Sequence, residues 1–217
     1  MKPLLMVVGA VVMCVGAARV SAQSSHETSP TVGRPLAPYA TRRVLVIPTH
    51  YLRTDDSLGW AAQISDRKAF LDDVDGEIAF ALRDRDRIGR MWVFPHQLAE
   101  NARRNAPYAP DVYDLAAEWL RPPMKKVPDM VPEPLASQLR TLVALEDDCR
   151  YVLFPIEVRF VGAGHGEESA VVRLVVFDAR QARIMWMADV ASDPATKFSR
   201  GLAASFAERL ADLVSAP

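Results

Sequence analysis

The chain is short of cysteine, of charge of one sign and of long apolar runs, and each shortage closes off a class of protein. Only two cysteines occur, Cys14 and Cys149. Cys14 falls in the leader read below, so the rest of the chain can form no internal disulfide and must hold its fold by a packed core. Acidic and basic side chains nearly balance, 27 against 26, and no basic stripe marks a nucleic-acid partner. After residue 22 no apolar run reaches the roughly 20 residues that cross a bilayer, so no integral membrane span is expected once the leader is removed. The four histidines, His26, His50, His96 and His165, stand at no metal-ligand spacing from one another or from Cys149, so neither metal nor cofactor is expected. Gly-x-Ser-x-Gly and His-Glu-x-x-His are both missing.

What is present begins with a leader. Lys2 precedes an uncharged apolar run from Leu4 to Ala18, and Val20-Ser21-Ala22 before Gln23 fits a small-residue cleavage site. Residues 1–22 therefore read as a Sec-type signal peptide, which makes the protein periplasmic or secreted. Met13 stands where a lipobox needs a small residue before its cysteine, so lipidation at Cys14 is not expected. The remaining 195 residues carry 24 basic and 27 acidic side chains, a formal charge of −3, and can bury one sizeable core. Residues 23–42, rich in Ser, Pro and Thr, read as a disordered linker, and residues 43–217 as a single domain.

The domain is organised around three β-rich runs near its end. Arg150 to Val161, Ser169 to Asp178 and Arg183 to Val190 are separated by a glycine-rich break and a short polar one, the pattern of an antiparallel meander. With Gly162 to Glu168 as the loop, Ile156 faces Leu174, Phe154 faces Val176 and Glu157 faces Arg173. Met185 and Met187 would continue the first, apolar face. The opposite face would carry Glu157, Arg159 and Arg173 beside Phe177, Ile184 and Trp186.

Earlier, Arg43 to Pro48 reads as a buried strand and Arg90 to Phe94 as a second. Between them Phe70, Val74, Ile78 and Leu82 recur at helical spacing. A strand, a helix and a strand in sequence make a parallel βαβ unit the default. Helices are predicted to start at Pro95, at Asp111 through Trp119, over Pro134 to Leu145, and over Thr196 to Val214. Five prolines between Arg121 and Pro134 mark an irregular surface connection. The resulting fold class is an α/β sandwich with a mixed five-stranded sheet, parallel at one side, an antiparallel meander at the other, covered by helices.

Arg43-Val-Leu-Val-Ile-Pro48, Arg150-Tyr-Val-Leu-Phe-Pro155 and Val172-Arg-Leu-Val-Val-Phe-Asp-Ala-Arg180 leading into Ile184-Met-Trp186 carry a family likeness. This arrangement resembles the α/β domain shared by the TolB amino-terminal region, CsgG-like proteins and LpoB-type lipoproteins of bacterial envelopes. In that hairpin Gln181-Ala182 replaces the family's Thr-Gly, and the lipobox common in the family is missing. The resemblance implies an envelope location and a protein-binding, non-catalytic role, and supplies no catalytic residues.

The motifs that suggest chemistry have plainer readings. Ser65-Asp-Arg-Lys68 matches Ser-x-x-Lys, but its companion Ser-Asp-Asn and Lys-Thr-Gly elements are absent and a helix cap accounts for it. Gly162-Ala-Gly-His-Gly166 lies between two strands, so no helix N-terminus stands behind it to hold a phosphate. Asp147 and Asp148 disfavour a thiolate at Cys149. Three functions remain in play. The first is a non-enzymatic envelope accessory protein that binds an envelope protein or outer-membrane component through Phe177, Ile184 and Trp186. The second is a periplasmic hydrolase using His50, Asp55 and Asp56 beyond the first strand. The third is a carrier of a small apolar ligand, which needs an enclosed apolar cavity.

Overall fold

Val44, Leu45 and Val46 are all buried, and a strand apolar on both faces needs cover on both sides. The structure, a computed structural model, supplies it. It describes residues 33–215 apart from 55, 86, 87, 125, 147 and 148; the leader, Cys14 and Asp55 thus lie outside the described residues. In chain order the elements are β1 (Val44–Val46), β2 (Tyr51–Leu52), α1 (Arg67–Arg83), α2 (Ile88–Met91), β3 (Trp92–Val93), α3 (Pro95–Arg104), α4 (Leu135–Leu145), β4 (Tyr151–Gly164), β5 (Glu167–Asp178), β6 (Arg183–Ala191) and α5 (Gly201–Val214).

The sheet runs β3-β1-β4-β5-β6, with β2 joining β4 beyond the end of β1. β1 is parallel to β3 and β4, β2 is parallel to β4, and β4, β5 and β6 form the antiparallel meander. The mixed α/β sandwich expected from the sequence is therefore present, with six strands instead of five. The added strand, β2, lies in a stretch with no readable period. One face packs Val74, Ile78 and Leu82 of α1 and Phe206 and Leu210 of α5 over Leu153, Val172 and Leu174. The other packs Leu98 of α3 and Leu139 and Leu142 of α4 over Phe154, Ile156 and Phe177.

Register departs from expectation at one residue, and the consequence spreads. Pro155 pairs with Leu174 and Glu157 with Arg173, so Ile156 is an extra residue in a β-bulge. Phe154 then meets Val175, not Val176. Before the bulge the faces alternate normally; at it, Ile156 joins Phe154 in one core while Leu174 and Val176 lie in the other. A second irregularity falls between Val176 and Phe177, which pair with Trp186 and Ile184 and leave Met185 extra. The expected apolar face running through Ile156, Leu174, Met185 and Met187 is thus corrected: one-residue insertions exchange the faces that alternation assigns.

Other boundaries shift for local reasons. No α-helix forms over Asp111 to Trp119, because its amides bond to side chains. Tyr113 N donates to Asp111 Oδ1 (2.9 Å), Leu115 N to His50 Nε2 (3.1 Å) and Ala116 N to Gln138 Oε1 (2.9 Å). Arg90 and Met91 belong to α2, which shortens the second expected strand to Trp92–Val93. The described end of the expected linker is also ordered. Leu36 is buried with its amide donating to Leu213 O, and Tyr39 O accepts from Trp92 Nε1. Two apolar side chains in a polar segment are enough to seat it.

Candidate functional site

β1 ends at Val46, and after Pro48 the next two residues turn inward. Thr49 donates to Asp75 Oδ1 on α1 through both its amide (2.9 Å) and its hydroxyl (2.6 Å). His50 follows with its ring packed edge-on against Phe154, centroids 4.6 Å apart. Its Nε2 accepts from the Leu115 amide at 3.1 Å, which makes Nδ1 the protonated nitrogen, donating to Pro48 O at 2.9 Å. Burial pushes its pKa below the ordinary histidine value, outweighing the Pro48 carbonyl and nearby Asp114. Both nitrogens are thus taken up by backbone, and His50 acts as a clasp between the end of β1 and the Leu115 turn. Asp56 Oδ2 accepts from the amides of Trp60 and Ala61, starting the short helical turn at Ala61–Gln63. His50 and Asp56 therefore do not converge on a common point.

The remaining sequence candidates resolve similarly. Asp66, not Ser65, caps α1 by accepting from Ala69 N at 3.0 Å. Cys149 is buried, and burial pushes its thiol up to about 11 against the pull of Arg43; a thiolate nucleophile is not available there. His165 sits at positive φ at the tip of the β4–β5 hairpin and is exposed. Among the described residues no three His, Cys, Asp or Glu side chains gather to hold a metal ion.

Charge is concentrated where β4 emerges from its bulge. Glu157 is 0% exposed and accepts from Arg53 Nη2 (2.7 Å) and Arg121 Nε (2.8 Å). Across the strand pair, Arg173 holds Asp189 through Nε (2.9 Å) and Nη2 (3.2 Å), while its Nη1 donates to the carbonyls of Leu120, Arg121 and Pro122. Burial alone would raise the pKa of Asp189; bonds from Arg173 and Arg159 outweigh it and hold the carboxyl below its usual range. One guanidinium thus moors the entry of the proline-rich connection to the sheet.

That connection then crosses to the sheet's last strand. Val131 N donates to Ala182 O (2.8 Å), Ile184 N to Asp129 O (3.0 Å), and Met130 bridges to Arg183. Past Ile184 the side chains of Met185, Trp186 and Met187 reach the surface at least in part. Met185 is 47% exposed and Met130, beside the strand's start, 58%. The three residues expected to share a binding face do not share one. Phe177 is fully buried in the α3–α4 core, against which Ile184 packs, while Trp186 packs half-buried on the α1–α5 side. Phe177 is out of reach of any partner.

No family model matches the chain, and no curated protein matches it. Solved structures similar to it include these two. One is a PelC dodecamer from Paraburkholderia phytofirmans, 14% identical, TM-score 0.34, covering 81% of this chain and 91% of that one. The other is E. coli LpoB, 12% identical, TM-score 0.36, covering 89% of this chain and 85% of that one. A likeness at this level assigns no function.

Sequence reasoning passed over Arg121 and Met130 and placed Met185 on the core face, and two of the three had a signal. Ile184-Met185-Trp186-Met187 is four apolar residues in a row, which puts apolar side chains on both faces of the strand and exposes some of them unless both faces are covered. Met130 stands among prolines, where an extended segment able to cover a sheet edge is a natural reading. Arg121 had none: its role depends on Glu157, 36 residues away, being buried.

Proposed function

We propose that the chain is an exported, non-catalytic accessory protein of the bacterial envelope that engages another envelope protein along the outer edge of β6. The observation that carries this reading is the state of that edge. Among the described residues the proline-rich segment pairs only with the strand's start at Arg183 and Ile184, and beyond it a bulged strand presents Met185, half-buried Trp186 and Met187. Unpaired strand edges flanked by apolar side chains are templates for strand addition, and methionine adapts to varied partners. Support for a non-catalytic role comes from His50 and Asp56, whose polar atoms serve the backbone. The leader and the envelope resemblance of the Val172–Arg180 hairpin support export. Among the described residues no helix is long and apolar enough to cross a membrane.

The test is site-specific photo-crosslinking in cells that express the full chain, with the photoreactive residue at Met185 and, as a control, at exposed Phe80 on α1. A discrete adduct from position 185 and none from position 80 is expected, and Trp186→Lys, which leaves the crosslinking position intact, should abolish it while circular dichroism stays unchanged. Equal labelling from both positions, or none from 185, removes the β6 edge as the binding surface.

A further inference from the structure

Beyond the carboxyl end of β2 the surface opens into a cavity of about 610 Å³ walled by Tyr51, Arg53, Thr54, Arg67 and Arg121, with no carboxylate in its lining among the described residues. Arg121 is held there from three directions. Its carbonyl accepts from Arg173 Nη1 (2.7 Å) and Arg53 Nη2 (3.3 Å), its Nε donates to buried Glu157, and its guanidinium lies 4.6 Å above the Tyr51 ring. Burial and a hydrogen bond to Glu118 push the Tyr51 hydroxyl up to about 12. The two Nη groups of Arg121 make no hydrogen bond within the described residues and are what this side chain offers to the cavity. Arg67, the first residue of α1, is exposed and makes no ion pair among the described residues.

A guanidinium whose Nε is anchored and whose face is stacked has already lost its rotamer freedom, so presenting its outer fork costs little on binding. That fork matches the paired oxygens of a carboxylate or phosphate. Glu157 accepts one bond from each of Arg53 and Arg121, and Arg67 brings to the rim a cation that makes no ion pair among the described residues. We infer that this cavity binds the terminal oxyanion of a soluble ligand, a carboxylate or a phosphate, through the Nη pair of Arg121 with Arg67 as the second cation. Thr54 also lines the cavity. The inference is independent of the β6 edge.

The full chain is titrated in low salt with sodium phosphate, with sodium glucuronate, and with sodium chloride at matched ionic strength, and amide shifts are followed by two-dimensional NMR. Saturable shifts centred on Tyr51, Arg53, Thr54 and Arg67 are expected from at least one oxyanion and not from chloride. Phosphate alone identifies a phosphoryl ligand and glucuronate alone a carboxylate. Arg67→Gln, which breaks no internal contact, should weaken binding about tenfold, as the loss of one charge-assisted contact requires. Arg121→Lys, which keeps a cation beside Glu157 but loses the fork, should weaken it by a similar factor. The inference fails if neither oxyanion moves these amides more than chloride does, or if both variants titrate like the parent.

Discussion

Asp75 gives the sharpest quantitative expectation. It is buried on α1, and its Oδ1 accepts both bonds from Thr49 while Oδ2 makes none among the described residues. Burial raises its pKa from 3.8 to about 7, with the Thr49 bonds pulling the other way. A carboxyl that holds its proton more tightly folded than unfolded makes the native state bind more protons between those two values. Stability therefore falls as pH rises from about 4 to about 7, and stays lower above that. At about 1.4 kcal/mol per tenfold in affinity for the proton, the gap corresponds to about 4 kcal/mol.

Asp75→Asn keeps an acceptor oxygen facing Thr49 and removes the titration. The variant is expected to be about 2–4 kcal/mol more stable than the parent at pH 9, the lower figure applying if the new amide nitrogen finds no partner. At about pH 4.5, where the unfolded carboxyl is already mostly ionised, the difference should shrink to about 1 kcal/mol or less. Urea unfolding followed by tryptophan fluorescence at about pH 4.5, 6, 7.5 and 9 measures this, and subtracting the two curves cancels every other carboxylate. A variant less stable than the parent at the highest pH, or a difference that does not change between the first and third points, would refute the burial argument.

Two further substitutions test the packing that positions the sites. Gly76 lies in the interior of α1 with open space where a Cβ would stand; Gly76→Ala should raise stability by about 0.5–1 kcal/mol in urea unfolding, and a loss would mean that the helix is more crowded there than this open space implies. Arg173→Met leaves Asp189 without its main partner and three carbonyls of the Leu120–Pro122 turn without their shared donor. Asp189 is partly exposed and keeps Arg159, so the change should cost about 1–3 kcal/mol, mostly for the carbonyls left without that donor, and speed limited proteolysis between Arg121 and Pro134; unchanged cleavage would show the turn to be held by something else.

How far the fold could be read from the sequence depends on where a local period was allowed to run. Val74, Ile78 and Leu82 on α1, and Phe206 and Leu210 on α5, face one core because nothing interrupts their spacing. In the meander the same logic placed Glu157 opposite Arg173 correctly and Phe154 opposite Val176 wrongly, since the count changes at Ile156. Pro155 is the physical trace of that change. It has no amide to give, and it stands where β4 has left β1, whose last pairing is Val46 with Leu153, and has not yet met β2, whose first is Tyr51 with Glu157. In that gap a strand can accept both a proline and a bulge, because no parallel neighbour is asking for its backbone bonds. The bulge sends Glu157 to where Arg53 and Arg121 can reach it, and the chain leaving β1 uses the same gap to turn His50 inward.

The candidate sites were hard to read for the same reason. A histidine and two aspartates after a strand look like chemistry when only residue types are compared. What separates a catalytic histidine from a clasp is whether its nitrogens meet substrate or the Leu115 amide and the Pro48 carbonyl, and the first of those contacts spans 65 residues. The arginines show the converse. Arg53, Arg67 and Arg121 carry no pattern along the chain, and they come to line one cavity only because a two-residue strand, the first turn of a helix and a moored loop end at the same place.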